Sequence, residues 1–119
     1  MQKSNNKIYY QLYQLTKYLY GVVKNFPKEH KYNLGNDILS VVWSCLDLNT
    51  EANGGSNSEK QAKISELCLA FEKLKIRIRM SQEIRLISAG QFSHIQENYL
   101  IEIGQMLGGW LNWAKNTKK

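Results

Sequence analysis

Apolar residues recur along this chain at alternating steps of four and three. The first run, from about Lys7 to Asn25, places Ile8, Leu12, Leu15, Leu19, Val22 and Phe26 on one stripe, the spacing of one face of an α-helix. Tyr9, Tyr13 and Tyr20 join Thr16 and Val23 on an adjacent stripe, giving the broad face of a bundle helix rather than the narrow seam of a zipper. Pro27, the only proline, closes this helix, because the residue before a proline is biased away from helical angles. After the connector PKEHKY, Leu34, Ile38, Val41, Cys45 and Leu48 repeat the pattern. They predict a second helix over 33–51 with Asn33 as its N-cap. The stretch NGGSNS at 53–58 is the strongest breaker and reads as a helix-helix loop.

The third helix is expected over 59–88, capped by Ser58 and ended at Gly90 in a left-handed C-terminal cap. Ile64, Leu67, Phe71, Leu74 and Ile78 form one stripe, and Leu69, Ile76, Met80, Ile84 and Ile87 a second. Inside it, KLKIRIRMSQEIR at 73–85 alternates strictly as far as Met80. A strand would put all charges on one face. As a helix, at ~100° per residue, Leu74 and Ile78 fall almost opposite Ile76 and Met80, with basic seams between them. The helical spacing upstream runs into this segment with no turn signal, which favours the helix.

A fourth helix over 93–115 carries Ile95, Tyr99, Ile103, Met106, Trp110 and Trp113 on its main stripe, which Phe92 leads, and Leu100, Leu107 and Leu111 on a second. Gly104, Gly108 and Gly109 interrupt it, each at a cost of ~1 kcal/mol relative to alanine. Close approach of another backbone would compensate, and a frayed or kinked last turn is the alternative. The tail AKNTKK, residues 114–119, reads as a loose basic end. Four amphipathic helices with short connectors predict an all-α, antiparallel up-down-up-down four-helix bundle forming one domain over 1–119.

A chain of 119 residues is long enough to bury a core without disulfide or metal support. It contains no run approaching the ~18 apolar residues of a membrane span, and its first residues lack the pattern of a secretory signal. The expectation is a cytoplasmic protein that does not engage a membrane. Cys45 and Cys68 lie in apolar contexts without CxxC spacing and read as small core residues. The net charge of +6 favours a polyanionic partner, since Lys and Arg displace the counterions condensed on nucleic-acid phosphates.

Candidate chemistry is sparse. A carboxylate-bridged metal site in a bundle needs repeated Glu-x-x-His spacing, whereas His30 lies in a connector and His94 precedes Glu97 in the reverse order. Neither cysteine has a histidine at helical spacing, no Gly-x-Ser-x-Gly elbow exists, and NGGSNSEK lacks the Gly-Lys-Ser/Thr ending of a phosphate loop. Helical ribonucleases of the HEPN type need an arginine a short, set distance before a histidine, and Arg85 lies nine residues before His94. The reading is therefore of a protein that is not an enzyme and needs no cofactor, metal or small-molecule substrate. What remains is the basic segment. Five cations, Lys73, Lys75, Arg77, Arg79 and Arg85, stand against the single acid Glu83, more than solubility requires. The tyrosines of the first helix offer rings for stacking on bases, but their regular spacing suits core or interface packing better.

The run LKIRIRMSQEIRLISAGQFSHIQENYLIEIGQMLGGWLNW at 74–113 resembles the accessory variability (Avd) proteins of diversity-generating retroelements. These belong to a wider four-helix-bundle group with the proteins encoded in intervening sequences of 23S ribosomal RNA genes. LYQLTKYLYGVVKNFPKEHKYNLGNDI at 12–38 is similar to that group too. The most specific pieces are IRLIS followed by Gln91-Phe92, and EIGQMLGGWL at 102–111. The resemblance implies a homopentameric barrel of four-helix bundles that binds the element's reverse transcriptase and RNA, or DNA, and supports mutagenic copying without catalysing it. Lys75, Arg79 and Arg85 stand where the family pattern is basic, whereas Arg77 and Gln82 depart from it.

Lys73, Lys75, Arg77, Arg79 and Arg85 are thus the expected nucleic-acid or partner contacts. Ile76, Met80, Ile84, Gly104 and Gly108 are the expected oligomer interface. The alternative is a bundle with a structural or other interaction role and no retroelement connection.

Overall fold

The computed structural model describes residues 3–117. Among these the chain forms four helical rods and no strand. The first is α1 (Lys3–Lys24). The second runs unbroken through α2 (Lys28–His30), a π-helical segment (Lys31–Gly35) and α3 (Asn36–Gly54). The third is α4 (Asn57–Glu83), and the fourth joins α5 (Ala89–Ile95), a second π-helical segment (Gln96–Leu100) and α6 (Ile101–Asn116).

Connectors this short force each rod back along the one before it. Contacts between α3 and α4 bear this out: Lys63 meets Glu51 near one end and Arg77 meets Asp37 near the other. The fourth rod runs against α1 likewise, with Tyr18 beside His94 and Gln11 bonded to Glu102. Neighbours pack in a ring, α1 on α3, α3 on α4, α4 on α6 and α6 on α1. At 1.5 Å per residue α4 is about 40 Å long, most of the molecule's 49 Å long axis.

The predicted stripes largely meet inside this bundle. Ile8, Leu12, Leu15 and Leu19 of α1 are buried with Ile64, Leu67, Leu74 and Ile78 of α4, and with Ile95, Ile103 and Leu107 of the fourth rod. Each such side chain stabilises the fold by roughly 1.5–3 kcal/mol. On α3 the stripe is rotated from the expected one: Ile38, Val42, Cys45, Leu46 and Asn49 are buried, while Val41 and Leu48 are only half-buried.

The rod ends differ from the sequence reading. Asn33 is not an N-cap: it lies within the π segment, where its Oδ1 accepts from the Leu34 amide at 2.8 Å. The second rod begins at Pro27, whose carbonyl accepts from the amides of His30 and Lys31. Proline ends one helix and opens the next, because its missing N–H is not needed at a helix start. Ser56 caps α4 in place of Ser58, in a capping box. Its hydroxyl accepts from the Glu59 amide, and the Glu59 carboxylate accepts from the Ser56 amide at 2.9 Å. Ser56-x-x-Glu59 and Ser58-x-x-Gln61 both carry the signature. The earlier pair prevails because α3 reaches Gly54, leaving a minimal turn. Lys60 Nζ then donates to the Ala52 and Asn53 carbonyls at 2.8 and 3.0 Å, satisfying the end of α3.

α4 stops at Glu83, short of residue 88, and the residue in the left-handed conformation is Arg85, φ 68°, not Gly90. The Leu86 amide reaches back to the Ser81 carbonyl at 2.7 Å, and that of Arg85 to Gln82 at 3.0 Å. This is the bonding of a Schellman cap with arginine where glycine is usual. Gly90 instead lies in the first turn of α5, behind a Ser88–Gln91 capping box. The fourth rod therefore starts at Ala89 rather than residue 93. The expected loose tail is helical through Asn116, with Ala114 buried, and Lys118 and Lys119 lie outside the described residues.

Candidate nucleic-acid interface

Four of the five expected cations lie on α4 and the fifth, Arg85, in its cap, but they are not equivalent. Arg77 Nε donates to Asp37 Oδ2 at 2.8 Å, and its Nη1 donates to the Lys73 carbonyl at 3.0 Å. The guanidinium is thereby committed to bracing α4 against α3. Lys75 pairs with Glu72 at 2.8 Å and lies over the Phe71 ring, so its charge is largely answered locally. Lys73, Arg79 and Arg85 are exposed and have no ion-pair partner among the described residues. These three are the cations left available to a polyanion.

The outward face of α4 is aliphatic as well as basic. Leu69, Ile76 and Met80 are about half exposed on the side away from the core, and Ile84 is similarly exposed in the cap. Leu69 also borders a cleft of about 390 Å³ between α3 and α4, lined further by Val41, Leu48, Lys73 and Arg77. Gly104 and Gly108 lie on α6, which packs against α4. A Cβ at Gly104 would meet Phe71 Cε2 at 3.7 Å, so its neighbour is a side chain of its own bundle. A Cβ at Gly108 would meet open space, as would one at Gly109.

The first helix differs most from expectation. Its stripe of tyrosines does not enter the core: Tyr9, Tyr13 and Tyr20 are 44%, 44% and 48% exposed, with Tyr10 beside them at 59%. Trp43 of α3 extends this aromatic surface and donates from Nε1 to the Tyr20 hydroxyl at 2.9 Å. A sequence signal for this face existed, since α1 contains no acidic residue. Core stripes do not need that exclusion, but polyanion-binding surfaces benefit from it.

The remaining reactive groups are dispersed. Cys45 is buried, and burial pushes its thiol up to about 12. Cys68 is half-buried and also raised, chiefly by burial and then by Glu72. His94 packs against Tyr18 and Tyr99. Glu102 is held below the usual carboxylate range, first by its hydrogen bond from Lys7. Among the described residues no group of three His, Cys, Asp or Glu side chains converges as metal ligands would, and no helix is long and apolar enough to cross a membrane.

Fold and surface together define an all-α bundle protein of four antiparallel rods carrying an exposed basic and aromatic exterior. Residues 5–114 match the bAvd-like family, and the chain belongs to that family. No curated protein and no solved structure matches it significantly.

Proposed function

We propose that this protein is a non-catalytic accessory factor of a diversity-generating retroelement. It binds the element's reverse transcriptase and template RNA through the surface of a homo-oligomer, most simply a pentamer, in the cytoplasm. Membership of the bAvd-like family across nearly the whole chain carries this reading. Two features of the surface support it. Lys73, Arg79 and Arg85 leave three charges free for phosphates, and Leu69, Ile76 and Met80 leave an aliphatic face opposite the core. Ile76 and Met80, one helical turn apart, are neighbours on that face, and clustered exposed apolar side chains mark interaction surfaces. In this assembly Ile76, Met80 and Ile84, with Gly108 on the adjacent rod, contribute to subunit contacts, whereas Gly104 faces Phe71 of its own bundle. Lys73, Arg79 and Arg85 face nucleic acid or polymerase, while Lys75, paired with Glu72, and Arg77, braced to Asp37, contribute mainly through those pairings.

The deciding experiment is co-purification with the reverse transcriptase encoded beside it, with and without template RNA. Association is expected, and its failure in both conditions would overturn the reading. RNA affinity should fall steeply with salt, by a log-log slope of about 0.7 per phosphate contact on a single strand. Arg79→Glu with Arg85→Glu should reduce both affinity and slope while preserving helicity. Gel filtration should return a multimer, and a strict monomer at micromolar concentration would remove the assembly from the proposal.

A further inference from the structure

We infer that the outer face of α1 is a stacking platform for single-stranded RNA, built from Tyr9, Tyr13 and Tyr20 and the lysines Lys17 and Lys24. The inference rests on the RNA-binding reading above and assigns base contacts to a different helix from α4.

Positions 9, 13, 17, 20 and 24 step by four, four, three and four, and so fall within about 80° of one helix face. Every one of them is Tyr or Lys, and every one is exposed. These rings are not surplus core. The inner face of α1 is already complete with Ile8, Leu12, Leu15, Leu19 and Val22, so the tyrosines have no apolar surface of their own chain to seek.

The local geometry holds the rings in place. Tyr9 and Tyr13 stack on one another with centroids 6.0 Å apart and planes 23° from parallel, too close to admit a base between them. They form a two-ring step whose outer surfaces remain open. Lys17 Nζ lies 5.4 Å from the Tyr13 ring, and Tyr20 is steadied by the hydrogen bond from Trp43. Tyr9 to Lys24 spans about 22 Å along the axis, enough for several unpaired nucleotides in succession.

Charge selects the ligand. α1 carries no Asp or Glu, and Lys17 and Lys24 have no ion-pair partner among the described residues, whereas Lys7 is occupied by Glu102. An apolar protein surface laid on this face would bury two ammonium groups within the contact, at a large desolvation cost. A polyanion with planar bases satisfies both parts, with bases on the rings and phosphates on the lysines. A duplex offers phosphates but hides its base faces, which favours the single strand.

The test uses a short labelled oligouridine and an RNA duplex of the same length, titrated by fluorescence anisotropy. Tyr13→Ala and Tyr20→Ala should each weaken oligouridine binding roughly tenfold with little change for the duplex, and Tyr13→Phe should retain binding. Lys17→Glu with Lys24→Glu should lower affinity and salt slope together. Circular dichroism and gel filtration should be unchanged in all variants. If the tyrosine variants bind normally while Arg79→Glu with Arg85→Glu does not, the platform is wrong and RNA binding through α4 stands. If wild-type protein binds neither RNA at low salt, the RNA reading fails and takes this inference with it. If the tyrosine variants change the subunit number, the face is an intersubunit contact and the platform is overturned.

Discussion

Replacing Arg85 with glycine should make the protein more stable and a weaker RNA binder. Arg85 holds φ 68° in the cap that ends α4. An L-residue pays about 1–2 kcal/mol for that left-handed conformation, and glycine does not. Against this, glycine adds about 0.4–1 kcal/mol of chain entropy to the unfolded state. The Arg85 side chain is exposed without an ion-pair partner among the described residues, so its loss costs little, within about 0.5 kcal/mol. The balance is a gain of about 0.5–1 kcal/mol, or roughly 2–5 °C in melting temperature for a chain of this size. Arg85→Ala is the control, because alanine keeps the strain while removing the charge. Thermal unfolding at matched protein concentration should rank glycine above both wild type and alanine, while anisotropy should show the two variants equally weakened for RNA. Equal stability of the two variants would refute the left-handed assignment. Undiminished RNA binding in both would remove Arg85 from the interface. Strain retained at an exposed cation is what a functional position would carry.

Other parts of the molecule give further tests. Arg77→Ala should cost about 0.5–1 kcal/mol, the range of part-exposed pairs; a double-mutant cycle with Asp37→Ala should recover that coupling, and the RNA salt slope should stay unchanged. Gly35→Ala should destabilise by about 1 kcal/mol, because a Cβ there would lie 2.7 Å from Val23 Cγ1 and overpacking outweighs the better helix propensity; a raised melting temperature would show that the π segment is not packed against α1. The depressed carboxyl of Glu102 contributes stability that is present above its unfolded value of ~4.3 and lost as pH falls through its folded value. Glu102→Gln should therefore lower stability across the neutral region, where that contribution is present, and leave the acid end little altered, so that the acid limb of the profile flattens. A thiol reagent at mildly alkaline pH should label half-buried Cys68 first and reach buried Cys45 only on unfolding, since the thiolate is the reactive form; equal rates would contradict the packing of α3.

The sequence by itself determined that there are four helices and which residues build most of the core. Helical periodicity is local, so Ile8 to Val22 on α1 and Ile64 to Ile78 on α4 could be read without a partner in view. It also placed KLKIRIRMSQEIR on a helix with two opposed apolar faces, and Ile76 and Met80 do stand opposite Leu74 and Ile78. Tertiary structure decided the rest. Arg77 counts as a cation in any reading of that segment, yet Asp37, forty residues away, occupies it. Overlapping signatures at Ser56 and Ser58 are resolved only by where α3 ends. The tyrosines of α1 share the spacing of core residues but remain exposed, because each rod has two flanking neighbours and its outer faces stay uncovered within one chain. Periodicity tells which residues share a face. Only packing tells whether that face is covered, and here the uncovered faces carry the proposed function.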